Sequence, residues 1–262
     1  MMVKSITILP GCNRYGKPEL MESIQLNMGS VISIVGPTGS GKTTLINDIE
    51  LLADGTTPTG RRILINNAPP PYEYRNNPSK NPIALITQHT TFLSDLPVGE
   101  FLYMHARIRN KNNASVTELI QKTIDFANQL TGEPIITGIK MTELSGGQTR
   151  ALLIADAAVI CDTPIVLLDE VENAGIYRTR ALELLRQHEK IFVFVTHDPR
   201  IALLSDFRII MKEGGISRVL HTDQTERSFA EKVTRLDDML GSLRDIIRKG
   251  ERLTTDALEG II

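Results

Sequence analysis

The sequence predicts an α/β fold with a mainly parallel sheet, an antiparallel β subdomain at the N-terminal end and an inserted α-helical subdomain. Three observations lead there. Short continuous apolar runs, VISIVG (31–36), IALIT (83–87), PIVLLDE (164–170), IFVFVTH (191–197) and FRIIM (207–211), have the character of strands buried on both faces. Helical patterns alternate with them, TTLINDIELLA after the first and YRTRALELLRQHE between the third and fourth, as parallel strands joined by right-handed crossovers require. From Asp95 to about Ala158 the pattern is helical throughout.

Taken in order, KSITIL and ESIQL read as antiparallel strands on either side of the loop NRYGKP. RRILINN (61–67) reads as a strand, and PPPYEYRNNPSKN as a polar, proline-rich loop. Pro97 suits the first turn of a helix through GEFLYMHARI. Ser115 and Glu118 have capping-box spacing ahead of LIQKTIDFANQL.

Bulk properties exclude several function classes. The 262 residues are 41% hydrophobic and 23% charged, ordinary for a soluble globular chain. Lys and Arg number 29 against 31 Asp and Glu, a balance that points neither to nucleic acid nor to anionic lipid. Cys12 and Cys161 make no disulfide framework and no metal-spaced pair, which suits a reducing, cytoplasmic compartment. MMVKSITILP reads as a strand, not a signal peptide. No run reaches the ~18 apolar residues of a membrane span; ALLIADAAVI is too short and carries Asp156. A membrane role would need a separate chain, leaving this one at most peripheral at the inner face of the cell membrane.

GPTGSGKT (36–43) fits G-x-x-x-x-G-K-[ST] between a predicted strand and a predicted helix. Gly36, Gly39 and Gly41 leave room for the backbone to wrap a phosphate, with Pro37, Thr38, Ser40 and Thr44 completing the loop and its first turn. Backbone N–H groups and the helix N-terminus favour the anion. Lys42 would reach the β- and γ-phosphates of ATP, and Thr43 would place its hydroxyl on Mg2+. PIVLLDE delivers Asp169 and Glu170 at the carboxyl end of a strand, where doubly wound sheets place their sites. Asp169 is the expected metal holder and Glu170 the expected general base.

TELSGGQTR (142–150) is similar to the LSGGQ signature of the ATP-binding cassette (ABC) ATPases, and the chain resembles that family over roughly residues 3–220. Gln88 ends IALIT as the family's Q-loop glutamine does, and the resemblance places it at the metal and the attacking water. His197 ends IFVFVTH as the family's switch histidine does. Tyr15 lies where the family keeps the aromatic that stacks on adenine. The resemblance implies head-to-tail pairing of two cassettes around two ATP, so that Ser145, Gly146, Gly147 and Gln148 grip the partner's nucleotide. One motif departs: after Glu170 the residues are Val171, Glu172, Asn173, Ala174, Gly175 and Ile176, and Ile176 stands where the family has Asp.

The sequence thus divides into a cassette over 1–220, with the helical subdomain at about 95–158, and a C-terminal helical extension over 221–262. In the extension Phe229, Val233, Leu236, Leu240, Leu243 and Ile247 recur at helical spacing. This seam is expected to dock on the cassette itself, with a dimer contact or a partner-binding arm as the alternative. The resemblance implies a subunit that powers a membrane transporter. A permease chain would then dock beside Gln88 on residues 89–108, where Phe92, Leu93, Phe101, Tyr103 and Met104 are expected to leave a partly exposed apolar surface. A soluble ABC ATPase acting in protein or cofactor assembly, or a nucleotide-switched clamp, is the alternative.

Overall fold

The structure, a computed structural model, describes residues 2–77, 79–109, 115–170 and 178–252. Strands β1 (Ser5–Leu9) and β2 (Ile24–Asn27) flank the NRYGKP loop, and β3 (Val31–Val35) leads through the glycine loop into α1 (Lys42–Glu50). After β4 (Arg62–Ile65) come a one-turn helix α2 (Tyr72–Asn76), β5 (Ile83–Thr87) and three helices: α3 (Val98–Arg109), α4 (Val116–Leu130) and α5 (Gly146–Val159). Then follow β6 (Ile165–Asp169), α6 (Arg178–Arg186), β7 (Ile191–Val195), α7 (Pro199–Leu204), β8 (Phe207–Lys212), β9 (Gly215–His221) and α8 (Gln224–Arg248).

Two sheets result. One is antiparallel, in the order β2-β1-β4; the other runs β5-β6-β7-β3-β8-β9, parallel except for the β8–β9 hairpin. The continuous apolar runs are explained by two cores, one on each face of the large sheet. In β6, Val166 and Leu168 pack towards α3, α4 and α5, whereas Ile165 and Leu167 pack towards α1 and the small sheet. In β7, Phe192 and Phe194 take the first side and Ile191, Val193 and Val195 the second. Alternating side chains with both faces covered make nearly every position apolar, with the fully buried Ser33 of β3 an exception.

The structure departs from the sequence expectations at several points. The proline-rich loop contains α2: Pro71 is its N-cap residue at φ −54°, and Glu73 stands in its first turn, where the helix dipole favours an acid. α7 and β9 had no counterpart among the expected elements. The loop from Val171 to Ile176 lies outside the described residues. The apolar seam of α8 is mostly uncovered: Phe229, Leu236, Leu240 and Ile247 are all more than half exposed, whereas Val233 and Leu243 are half-buried. The helix instead lays its small face on α7, with Ala230 buried. Arg208–Glu226 and Arg200–Asp237, the latter 2.8 Å, tie it to β8 and α7. Ala230 lets the backbones approach where the larger seam residues would hold them apart. Among the described residues, no helix is long and apolar enough to cross a membrane.

The N-terminal segment, α1 and the β8–β9 turn meet at one buried cation. The Arg61 side chain is fully buried. Its Nη1 donates to Asp48 Oδ2 on α1 at 2.8 Å, and its Nε and Nη2 donate to the two carboxylate oxygens of Glu19. Nη2 also reaches the carbonyl of Gly214 at 3.3 Å. Glu19 accepts further from the N–H groups of Gly11 and Ile216. Burial by itself would raise the Glu19 carboxyl; Arg61 and those two N–H groups outweigh it and hold it below its ordinary value.

Two outcomes follow. Arg61→Met leaves two carboxylates buried without their cation and should cost about 3–5 kcal/mol in urea unfolding at neutral pH. Because the Glu19 carboxyl is depressed in the folded state, its share of the stability is present above its ordinary value and is lost as pH falls through the folded value. For α8, Ala230→Arg should cost about 1–3 kcal/mol by overpacking, whereas Phe229→Ala should leave the melting temperature unchanged; the reverse ranking would restore the seam as the docking face.

Candidate active site

The carboxyl ends of the central parallel strands carry most of the expected residues. One row of the large sheet runs Thr87–Asp169–Val195–Ile34 through paired positions. Just beyond that row the chain delivers Gln88, Glu170, His197 and Gly36. Four separate segments thus converge without any being adjacent in sequence, because the sheet sets them side by side.

The glycine loop is shaped by close packing. Gly36, Gly39 and Gly41 all have positive φ. A β-carbon on Gly36 would lie 2.5 Å from the Met211 carbonyl, and one on Gly41 would lie 2.8 Å from the Cα of Gly214. At those two positions only glycine fits both the backbone conformation and the space. Gly41 is the N-cap of α1. The Lys42 side chain is folded back into the loop, with Nζ donating to the carbonyls of Gly36 at 2.9 Å and Pro37 at 3.2 Å. Ser40 Oγ is buried with no hydrogen-bond partner. Thr38, Thr43 and Thr44 are exposed.

Asp169 closes β6, and Glu170 follows at φ 50°, a left-handed conformation uncommon outside glycine. Its N–H donates to the Val195 carbonyl at 3.0 Å, which clamps the turn to β7. His197 Nε2 lies 3.7 Å from Glu170 Oε1, and both side chains are open to solvent.

Tyr15 sits on a loop closed by the Cys12–Pro18 bridge, and Asn13 Oδ1 accepts from the N–H groups of Tyr15 and Lys17. The Tyr15 ring is 66% exposed. The loop stands beside the glycine loop because Arg14 donates to the Gly39 carbonyl from its side chain and to the Glu213 carbonyl from its backbone.

The signature lies at the start of α5. Ser145 Oγ accepts from the Gln148 N–H at 3.3 Å, and Gln148 Oε1 accepts from the Ser145 N–H at 2.9 Å, a reciprocal cap. Ser145 and Gly146 are exposed and Gly147 is half-buried. Gln148 is buried, and its amide also donates to the Pro134 carbonyl. Its side chain is therefore committed to holding the helix start, not presented at the surface.

Sequence reasoning missed three residues of this region. Arg14 and Gly214 shape the glycine loop from outside its motif. Arg150 donates to the carbonyl of Gly146 at 2.9 Å and also to that of Gln88, joining the signature to the end of β5. Arg150 lies within the quoted TELSGGQTR, one turn past the glycines, a position from which an arginine can reach back to the helix start.

The sequence model of the ABC transporter family matches residues 22–173. An ABC transporter ATP-binding protein of Methanocaldococcus jannaschii is 47% identical over 254 residues, 97% of this chain and 96% of that one. The spermidine/putrescine import ATP-binding protein of Bacteroides fragilis is 28% identical over 82% of this chain, which spans 47% of that longer protein. Among solved structures, a dimeric ATP-binding cassette bound to ADP and Pi superposes with TM-score 0.60 at 22% identity, covering 83% of this chain and 99% of that one, a likeness of fold. The match over most of the domain, with the glycine loop, the strand-end acids and the capped signature in place, makes this chain a member of the ABC transporter family of ATP-binding, ATP-hydrolysing proteins.

Proposed function

We propose that the protein is the ATP-driven subunit of a membrane transporter and that it works as a head-to-tail pair around two ATP. The observation that carries this reading is an apolar strip beside Gln88. Leu93 is 98% exposed, and Tyr103, Met104 and Ile108 along α3 are exposed too. Phe92 and Phe101 stand beneath, edge to face at 5.1 Å, packed against the core. Uncovered apolar side chains concentrated next to one loop mark a contact surface, here for a helix of a permease chain. The loop is tied through Arg150 to the exposed start of α5, so the contact is connected to the phosphate-binding apparatus.

In this reading Tyr15 stacks on adenine. The backbone of residues 36–44 wraps the phosphates, and Lys42 exchanges the carbonyls of Gly36 and Pro37 for β- and γ-phosphate oxygens. Glu170 takes a proton from the attacking water, and His197 steadies the γ-phosphate. Ser145, Gly146 and Gly147 of the second copy close the site, offering backbone N–H groups and the positive end of a helix dipole. Gln148 supports them from beneath.

The donor set Thr43 hydroxyl, Gln88 amide and Asp169 carboxylate is all oxygen, which fits Mg2+. Those residues would hold the ion, which when bound neutralises phosphate charge.

Glu170→Gln should bind ATP normally but hydrolyse it at least tenfold more slowly, about 1.4 kcal/mol in barrier. It should run as a dimer on gel filtration with MgATP, whereas Lys42→Ala should lose affinity for a fluorescent ATP analogue. A Glu170→Gln rate equal to wild type would remove the general-base role. Leu93→Asp with Met104→Asp should leave basal ATPase activity unchanged and abolish capture of a polytopic membrane chain from detergent-solubilised membranes of the source organism. Retained capture would move the contact elsewhere.

A further inference from the structure

The helix that begins with the signature ends at a second polar cluster, which takes no part in the chemistry above. His105 of α3 sets its Nδ1 2.9 Å from Asp156 Oδ1 of α5. Cys161, just past the end of α5, places Sγ 3.5 Å from Asp156 Oδ2 and 4.0 Å from His105 Nε2. One ligand atom from each of the three lies within 4.8 Å of the other two. Neighbours along both helices, Leu102, Ala106, Ala155 and Ala157, are buried core. An imidazole, a carboxylate and a thiol converging among them are costly unless they serve one another or a ligand.

We propose that His105, Asp156 and Cys161 form a three-ligand site for a divalent d-block cation of the zinc class. Thiolate, imidazole and carboxylate are the ligands such an ion selects, and hard-ion sites lack the sulfur. Tetrahedral coordination with bonds of about 2.0–2.3 Å separates ligand atoms by roughly 3.3–3.8 Å. The 3.5 Å between Sγ and Asp156 Oδ2 lies in that range, and the 2.9 Å between His105 Nδ1 and Asp156 Oδ1 has to widen only by side-chain adjustment, without rearranging either helix. With the ring proton on Nε2, His105 turns its Nδ1 lone pair towards Asp156, and the ion takes the place that a proton holds between Nδ1 and Oδ1.

On binding, a metal–sulfur bond forms and the S–H bond breaks heterolytically. The proton passes to water by way of Asp156 Oδ2, and no electron is transferred. One thiolate and one carboxylate neutralise the ion's two charges, so Arg109 and Lys190 nearby face no net cation. Cys161 also lines a cleft of ≈ 450 Å3 shared with Arg109, Asp162, His188 and Lys190, which supplies an entry path and room for a water as fourth ligand. The bound ion would pin α3 to the far end of α5.

The test uses the full chain, stripped with a chelator and kept reduced and nucleotide-free. Titration with Co2+ should develop a near-ultraviolet thiolate-to-cobalt charge-transfer band that saturates at one equivalent and is erased by Zn2+. Cys12→Ser should keep the band, Cys161→Ser should lose it, and His105→Ala should weaken Co2+ binding at least tenfold. Unchanged ATP-analogue binding by Cys161→Ser shows that the variant is folded. Cobalt binding without a thiolate band in the wild type, no binding at all, or a band lost in Cys12→Ser and kept in Cys161→Ser would each overturn the assignment.

Discussion

A fully buried guanidinium holds together the parts of the molecule that form the nucleotide pocket. Taking Arg61 and two carboxylates out of water is expensive, and the cost is recovered only while every donor has its acceptor. Those acceptors come from the N-terminal segment, from α1 and from the β8–β9 turn. The same turn packs against Gly41 at the start of α1 and, through the Gly214 N–H, donates to the Ser40 carbonyl at 2.8 Å. Loosening any one segment therefore unpairs a charge and releases the glycine loop together. A lysine would not substitute, since a point-like ammonium cannot bond two carboxylates and a carbonyl in the fixed directions of a planar fork.

The parallel sheet supplies the second constraint. Its strands are polar objects, all with their carboxyl ends on one side, so residues far apart in sequence emerge as neighbours there. The left-handed backbone at Glu170, held by its N–H bond to the Val195 carbonyl, keeps its carboxylate beside His197. The helices inserted between β5 and β6 carry the signature, with Ser145 and Gly146 facing solvent. A pocket with one wall missing is completed by another molecule, which is the logic of the proposed pairing.

Much of this was legible in the sequence because it rests on local rules. Five apolar runs became the five parallel strands, since a strand covered on both faces favours apolar side chains at nearly every position. The signature was legible in its residues, and its Ser145 caps α5 with Gln148. The Arg61 network was not legible: Glu19, Asp48 and Arg61 are ordinary charged residues until folding brings them together. The same holds for Arg14, whose partner is a backbone carbonyl and leaves no trace in side-chain pattern. The seam of α8 misled because heptad spacing shows that a helix has an apolar stripe without showing which face a neighbour prefers; a small residue and two ion pairs decided it. His105, Asp156 and Cys161 share no sequence spacing, so only the packing of α3 on α5 discloses them.

Arg150 has a consequence for how the molecule can respond. Its guanidinium holds the Gly146 carbonyl with one nitrogen and the Gln88 carbonyl with another, while its Nε is buried with no hydrogen-bond partner. One side chain thus spans from the head of α5 to the end of β5. A displacement of the Gln88 loop is therefore transmitted to the head of α5 through that bridge. In the proposed pairing, linkage runs both ways: the factor by which a contact at the edge of β5 changes anion affinity at the head of α5 is the factor by which the anion changes the affinity of that contact.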